Sequence, residues 1–183
     1  MPFRLKYDSV ENYLKSYGDY IVRQAKSILK SKRKVASGDL ISSLKYRVVK
    51  NKEGVFDLEF LANKYADFLQ KGVSGTNVSR SYIDASGKRV RSPYQFKKQP
   101  PSRVLDKWII RRGIAPRDKG GKFTSRKGLS YVIARSIKRK GIRATSFYTQ
   151  PLSYSFKKFK SDMLKNFKED VLKGINVIAK KTI

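Results

Sequence analysis

Apolar side chains recur at spacings of three and four near the start of the chain: Val10, Leu14, Tyr17, Ile21, Ala25 and Ile28. That period lines one face of an α-helix. Asp8-Ser9-Val10-Glu11 marks its beginning, with Asp8 as N-cap and Glu11 three residues on. The Lys30-to-Lys34 cluster places its end near Lys32, where positive charge meets the negative end of the helix dipole. A second stripe of the same period follows Pro151: Phe156, Phe159, Met163, Phe167, Val171, Ile175 and Ile178, with Gly174 as a mild interruption. It predicts a long amphipathic C-terminal helix.

Between the two helices the pattern shortens. Ser37-Gly38-Asp39 punctuates the chain, and residues 40–44 suit a short turn or helix. Tyr46–Lys50 and Val55–Phe60 read as strands, joined by Asn51-Lys52-Glu53-Gly54 as a hairpin loop. Tyr65 to Lys71 reads as a short helix closed by Gly72. Residues 73–98 carry no clear period and are broken by Gly75, Gly87 and Pro93. A loop this long is expected to be functional, or to gain order on binding. Residues 104–112 predict a short helix around Trp108, and residues 113–123 a Gly-rich loop. Thr124 or Ser125 then caps a helix to Lys140, with Leu129, Val132, Ile133 and Ile137 inward and Gly141 just past its end. The expected class is α+β: a long N-terminal helix, a small antiparallel sheet with short helices, and a long amphipathic C-terminal helix. Tyr65, Phe68 and Trp108 are expected in the core.

Composition changes this picture in one respect. The chain carries 43 Lys and Arg against 14 Asp and Glu over 183 residues, a formal net charge of +29. Residues 86–143 hold 19 of the basic groups, with only Asp106 and Asp118 against them. Folding does not call for such an excess, so a polyanionic partner is expected: DNA, RNA or an acidic protein surface. An aromatic fraction of 12% is too high for a disordered basic tail. No apolar run is long enough to cross a membrane. Met1-Pro2-Phe3-Arg4-Leu5-Lys6 lacks the apolar segment of a secretory signal, so a product made in the cytoplasm is expected.

Candidate chemistry is sparse. Cys and His are both absent, which removes disulfides, thiolate nucleophiles and Ser-His-Asp or Cys-His systems. Any metal site would rest on carboxylates alone. No cofactor or metal is expected, and no catalytic residue is assigned. Asp57 and Glu59 share one face of a strand and, with Asp84, are the nearest approach to a metal-dependent nuclease. The plainer reading makes them the solvent side of a strand whose Val55, Phe56 and Leu58 are buried. Gly72-Val73-Ser74-Gly75-Thr76 resembles an anion-binding loop only superficially, because it lacks the G-x-x-x-x-G-K-[ST] pattern. A structural turn is expected there.

The strongest signal is basic. Lys88, Arg89, Arg91, Lys97 and Lys98 interleave with Tyr82, Tyr94 and Phe96; Arg111, Arg112, Arg117, Lys119 and Lys122 follow. Cations of this kind release counterions from a phosphate backbone, and aromatics stack on unpaired bases. The same side chains suit an acidic protein interface. No helix-turn-helix, zinc-finger, RRM or KH signature accompanies them, so any DNA contact is expected to be non-specific. The apolar stripe carrying Phe156, Phe159, Phe167 and Ile175 is wide enough to serve as a subunit interface.

The order of these features resembles a known family. The long helix is followed by Ser37-Gly38-Asp39-Leu40-Ile41-Ser42-Ser43-Leu44, then two strands, then Tyr65-Ala66-Asp67-Phe68-Leu69-Gln70-Lys71-Gly72-Val73-Ser74-Gly75-Thr76, then a loop ending Ser92-Pro93-Tyr94. This is similar to the tail-completion and head–tail joining proteins of tailed bacteriophages, over about residues 10–100. Trp108 to Gly113 and Ala134 to Ile137 look like the version found in larger phages. Gln70 stands where the family commonly has Glu, and the 76–92 loop is long. The resemblance implies a non-enzymatic virion protein at the head–tail interface, a homo-oligomeric ring of six or twelve copies between portal-side and tail-side components. Genomic DNA would pass through its lumen, with no membrane involved. In that reading residues 1–150 form the ring domain and 151–183 an interface or extension helix. The Lys-rich composition is compatible with a phage of a low-GC host, such as a crAss-like podovirus. The alternative is a non-specific nucleic-acid-binding protein free in the infected cell.

Overall fold

A computed structural model describes residues 6–34, 37–51 and 55–181, with side chains to residue 176. Among the described residues the chain is an α+β protein of six helices and two small antiparallel sheets. The expected turn at Lys52-Glu53-Gly54 and the Ile178 side chain lie outside the described residues. No helix among the described residues is long and apolar enough to cross a membrane.

Helix α1 spans Asp8–Ser31 and buries Val10, Leu14, Tyr17, Gly18, Ile21, Val22, Ala25 and Leu29. The stripe therefore ends on Leu29, which is fully buried, with Ile28 half-buried at its edge. Tyr7, not Asp8, holds the cap position, and no local side chain caps the helix. The cap comes from the far end of the chain. Asp170 accepts hydrogen bonds from the backbone N–H groups of Ser9 and Val10, both at 3.0 Å. These are first-turn donors that a helix leaves without partners of its own.

Helix α2 (Asp39–Ser43) starts after Gly38, whose φ of 87° suits glycine. Strands β1 (Lys45–Lys50) and β2 (Phe56–Leu61) pair antiparallel, from Lys45 opposite Leu61 to Lys50 opposite Phe56. The Tyr46 ring lies where a Cβ on Gly18 would sit, about 2.4 Å away. A glycine in the middle of α1 thus lets the hairpin seat against the helix. Val55, expected to be buried, is exposed just before β2.

Helix α3 (Ala66–Lys71) turns Ala66 and Gln70 inward. Tyr65 and Phe68 therefore face outward, 43% and 46% exposed, contrary to the expected core. A six-residue helix has room for one i, i+4 pair on its buried side, and here that pair is small and polar. Phe68 packs on Tyr94 instead, ring centroids 4.6 Å apart. The fully buried aromatic of the core is Phe147, packed among Val22, Ala25, Leu29, Leu40, Leu44 and Ala66.

The 73–98 segment is not a structureless loop. It contains the antiparallel strands β3 (Ser81–Ile83) and β4 (Arg89–Arg91), with Ser81 opposite Arg91 and Ile83 opposite Arg89. Strands of three residues are too short to show a period of two, which is why the pattern hides them. Helix α4 (Ser102–Arg111) and helix α5 (Arg126–Lys140) follow. Helix α5 buries Ser130 and Ala134, while Val132, expected inward, is 61% exposed. Small residues at the inner positions let α5 approach its neighbours closely.

Helix α6 (Thr149–Lys181) begins two residues before Pro151, which the first turn tolerates. It packs along α1. Phe159 sits against Tyr17 at 4.5 Å and Tyr13 at 5.9 Å, and the Tyr17 and Ser155 hydroxyls share a hydrogen bond of 2.7 Å.

Gln70 is tied into the fold through its side chain. Its amide N–H donates to the Thr149 hydroxyl, which in turn donates to the Ile83 carbonyl, and its carbonyl accepts from the Tyr148 N–H at 3.0 Å. Three elements are tied through one buried side chain that both donates and accepts. Gln70→Glu would set a carboxylate oxygen against the Thr149 oxygen, whose proton is already used. Losing the donor and burying a charge is expected to cost about 2–3 kcal/mol, read from denaturant midpoints at pH 7. An unchanged midpoint would contradict this relay.

A candidate polyanion interface and a cationic cleft

The β3–β4 hairpin carries the first basic group. Asp84 shapes its turn, accepting from the Ser86 N–H at 2.9 Å, the Ser86 hydroxyl at 2.7 Å and the Lys88 N–H at 2.9 Å. The Ser86 hydroxyl bond first, with help from the backbone bonds, holds the Asp84 carboxyl below its ordinary range. Gly87 supplies the positive φ the turn needs, 85°. Lys88, Arg89 and Arg91 are exposed on this hairpin, and Lys97 and Lys98 are exposed on the link to α4. Arg89 and Arg91 share one strand face because side chains alternate.

The 113–123 loop is the second projection. Arg117 and Phe123 form a β-bridge, and the Arg117 guanidinium lies 3.9 Å from the Phe123 ring. Asp118 Oδ1 accepts from the Lys122 N–H at 2.9 Å, closing a turn that leaves Lys119 and Lys122 exposed. Arg111 is exposed at the end of α4. Arg112 differs: it is half-buried, donates to the Arg33 carbonyl and lies over the Trp108 ring at 5.9 Å. Trp108 itself is 36% exposed, so it is not the core residue expected. The ten candidate cations thus occupy separate places rather than one site. None of them forms an ion pair among the described residues.

The sequence pattern does not single out a further feature. The ends of α1, α4 and α5 meet α2 around a cleft of about 680 Å³. Its apolar lining includes Leu40, Leu105, Trp108, Ile133, Ile137 and Ile142; its basic lining is Arg33, Lys34, Arg80, Arg112, Lys140 and Arg143. Among the described residues no Asp or Glu lines it. Of these six cations only Arg112 stands out in the sequence. The runs at Lys30–Lys34 and Lys138–Arg143 were the available signal, but each reads equally well as a helix end neutralising its own dipole.

Other candidates resolve plainly. The N–H groups of Val73, Ser74, Gly75 and Thr76 donate to Ile142, Tyr94, Val78 and Lys138 carbonyls, so this stretch is a structural junction. Glu59 pairs with Arg47 across β1–β2, and Asp84 is used in its turn. Among the described residues no group of three carboxylates could hold a metal ion. Of the proposed interface residues, Phe159 is half-buried against α1, and Phe167 stacks on Tyr7 at 6.0 Å while staying half-exposed. Phe156 and Ile175 remain exposed.

No known protein family, curated protein or solved structure matches this chain.

Proposed function

We propose that the protein is a structural ring subunit of a phage head–tail junction, with its basic projections turned to genomic DNA or to an acidic neighbouring ring. The observation that carries this reading is a pair of ordered hairpin-like projections bearing cations with no carboxylate partner. A surface built this way suits a polyanion held beside it permanently rather than one captured by a single pocket. The order long helix, Gly38-led short helix, β-hairpin, short helix closed by Gly72 agrees with the order on which the family resemblance rests. Helix α6 supplies faces for neighbouring copies. Phe156 and Phe167 lie about three turns apart on one line, and Leu164 and Ile175 on another, all exposed.

The test replaces Lys88, Arg89, Arg91, Lys119 and Lys122 by serine. These side chains make no contact that the fold needs, so the melting temperature is expected to stay within about 2 °C. Genome-filled particles carrying the variant should fall by roughly tenfold or more, with incomplete necks in micrographs. Normal, genome-filled particles would overturn the assignment of these projections. Tight and steeply salt-dependent DNA binding by the isolated chain, with the chain absent from particles, would favour the free nucleic-acid-binding reading.

A further inference from the structure

The cleft has a chemistry of its own. Three helix C-termini border it: Arg33 and Lys34 follow α1, Arg112 follows α4, and Lys140 ends α5. A helix end presents about half a negative charge. Three such ends offset roughly one and a half of the six positive charges on the rim, and no carboxylate among the described residues lines the cleft to offset the rest. The Arg112 Nε–H is buried with no hydrogen-bond partner among the described residues, which leaves this guanidinium donor capacity beside the cleft. The floor, in contrast, is largely aliphatic, with Trp108 at its edge.

We infer that this cleft docks a short acidic segment of a partner protein, one that sets apolar side chains on the floor while its Asp or Glu side chains meet the cationic rim. The two halves of the cleft select this occupant together. A nucleic acid would satisfy the rim and find Trp108 and Tyr65 to stack on, but it would leave the aliphatic Leu105, Ile133 and Ile137 without partners. An uncharged apolar segment would cover the floor and leave six cations unneutralised. A segment with both features buries the floor as a groove-binding peptide does and gains charge-assisted hydrogen bonds at the rim. The volume of about 680 Å³ is ordinary for a site that takes a few side chains. The inference stands on the cleft alone and does not require the ring reading.

Trp108 is the sole tryptophan of the chain, so the site contains its own fluorescent reporter. The experiment selects binders to the full-length protein from a library of random dodecapeptides and measures Trp108 emission as each peptide is added. Recovered peptides are expected to combine Asp or Glu with Leu, Ile, Phe or Trp, to shift Trp108 emission saturably, and to lose at least about tenfold in affinity against Lys34→Glu/Lys140→Glu/Arg143→Glu. The side chains of those three make no hydrogen bond or ion pair that holds the fold. A control with the same charge change, Lys158→Glu/Lys165→Glu/Lys168→Glu on exposed positions of α6 outside the cleft lining, is expected to bind the peptides within about twofold of the parent. The proposal is overturned if polyglutamate or a single-stranded oligonucleotide competes as well as the peptides do. It is equally overturned if the two triple variants lose affinity alike, or if no peptide moves Trp108.

Discussion

Gly141→Ala is expected to lower the melting temperature by about 10 °C or more. Gly141 has a φ of 70°, and a Cβ there would lie 2.1 Å from the Val73 carbonyl oxygen and 2.6 Å from the Gly75 nitrogen. Both are backbone atoms, so no side chain can swing aside. The contact is part of a junction where two backbones touch. Val73 and Ile142 exchange hydrogen bonds of 2.9 and 2.8 Å, and the N–H groups of Thr76 and Asn77 donate to the Lys138 and Arg139 carbonyls at 2.9 and 3.0 Å. Those carbonyls belong to the last turn of α5, where a helix has none of its own donors left. A left-handed backbone costs a non-glycine residue about 1–3 kcal/mol, and separating the two strands of the junction adds more. A total of about 3–5 kcal/mol corresponds to roughly 10 °C in a domain of this size. Thermal unfolding by circular dichroism reads the effect. A shift below about 2 °C would mean the two segments do not cross as described.

The second large effect belongs to Asp170. Asp170→Ala is expected to cost about 2–3 kcal/mol, because it removes a buried carboxylate, 2% exposed, that accepts from two backbone donors at the start of α1. Asp170→Asn keeps one good acceptor and should cost less. Burial pushes this carboxyl up, but the hydrogen bonds from Val10 and Ser9, with the charge of Lys173, outweigh it and hold it below its ordinary range. A carboxyl depressed in the folded state stabilises above its unfolded pKa, about 3.9, and loses that contribution as pH falls through its folded value. The gap in stability between parent and Asp170→Ala is therefore full at pH 7 and should narrow below about pH 4. A gap independent of pH down to pH 2 would contradict the ionic cap.

These two residues also mark what the sequence can and cannot disclose. The helices were legible because their stripes repeat over many turns: Val10 to Ala25 for α1, Phe159 to Val171 for α6. The β1–β2 hairpin was legible within a residue at each end. The cap of α1 was not, because its acceptor lies about 160 positions away, and Asp8 offered a local answer that tertiary structure displaced. The hairpin at 81–91 escaped because three-residue strands carry no period. Tyr65, Phe68 and Trp108 lie nearer the surface than the pattern predicts, for a related reason. Large aromatic side chains are placed inside by default, whereas α3 turns Ala66 and Gln70 inward and α4 buries Ile109, the residue after Trp108. Among the functional candidates, Lys88 and its neighbours could be named from charge density alone. The cleft needed three helix ends brought together, and no stretch of sequence contains that convergence.

The proposed role is that of a ring subunit at a head–tail junction. Mass spectrometry and cryo-electron microscopy of purified particles, produced by the genome that encodes this chain, test it most directly. The account predicts the chain in the particle at six or twelve copies between portal and tail, with residues 81–91 and 113–123 facing the DNA channel or an adjacent ring. Particles complete with portal, neck and tail but lacking this chain would contradict it.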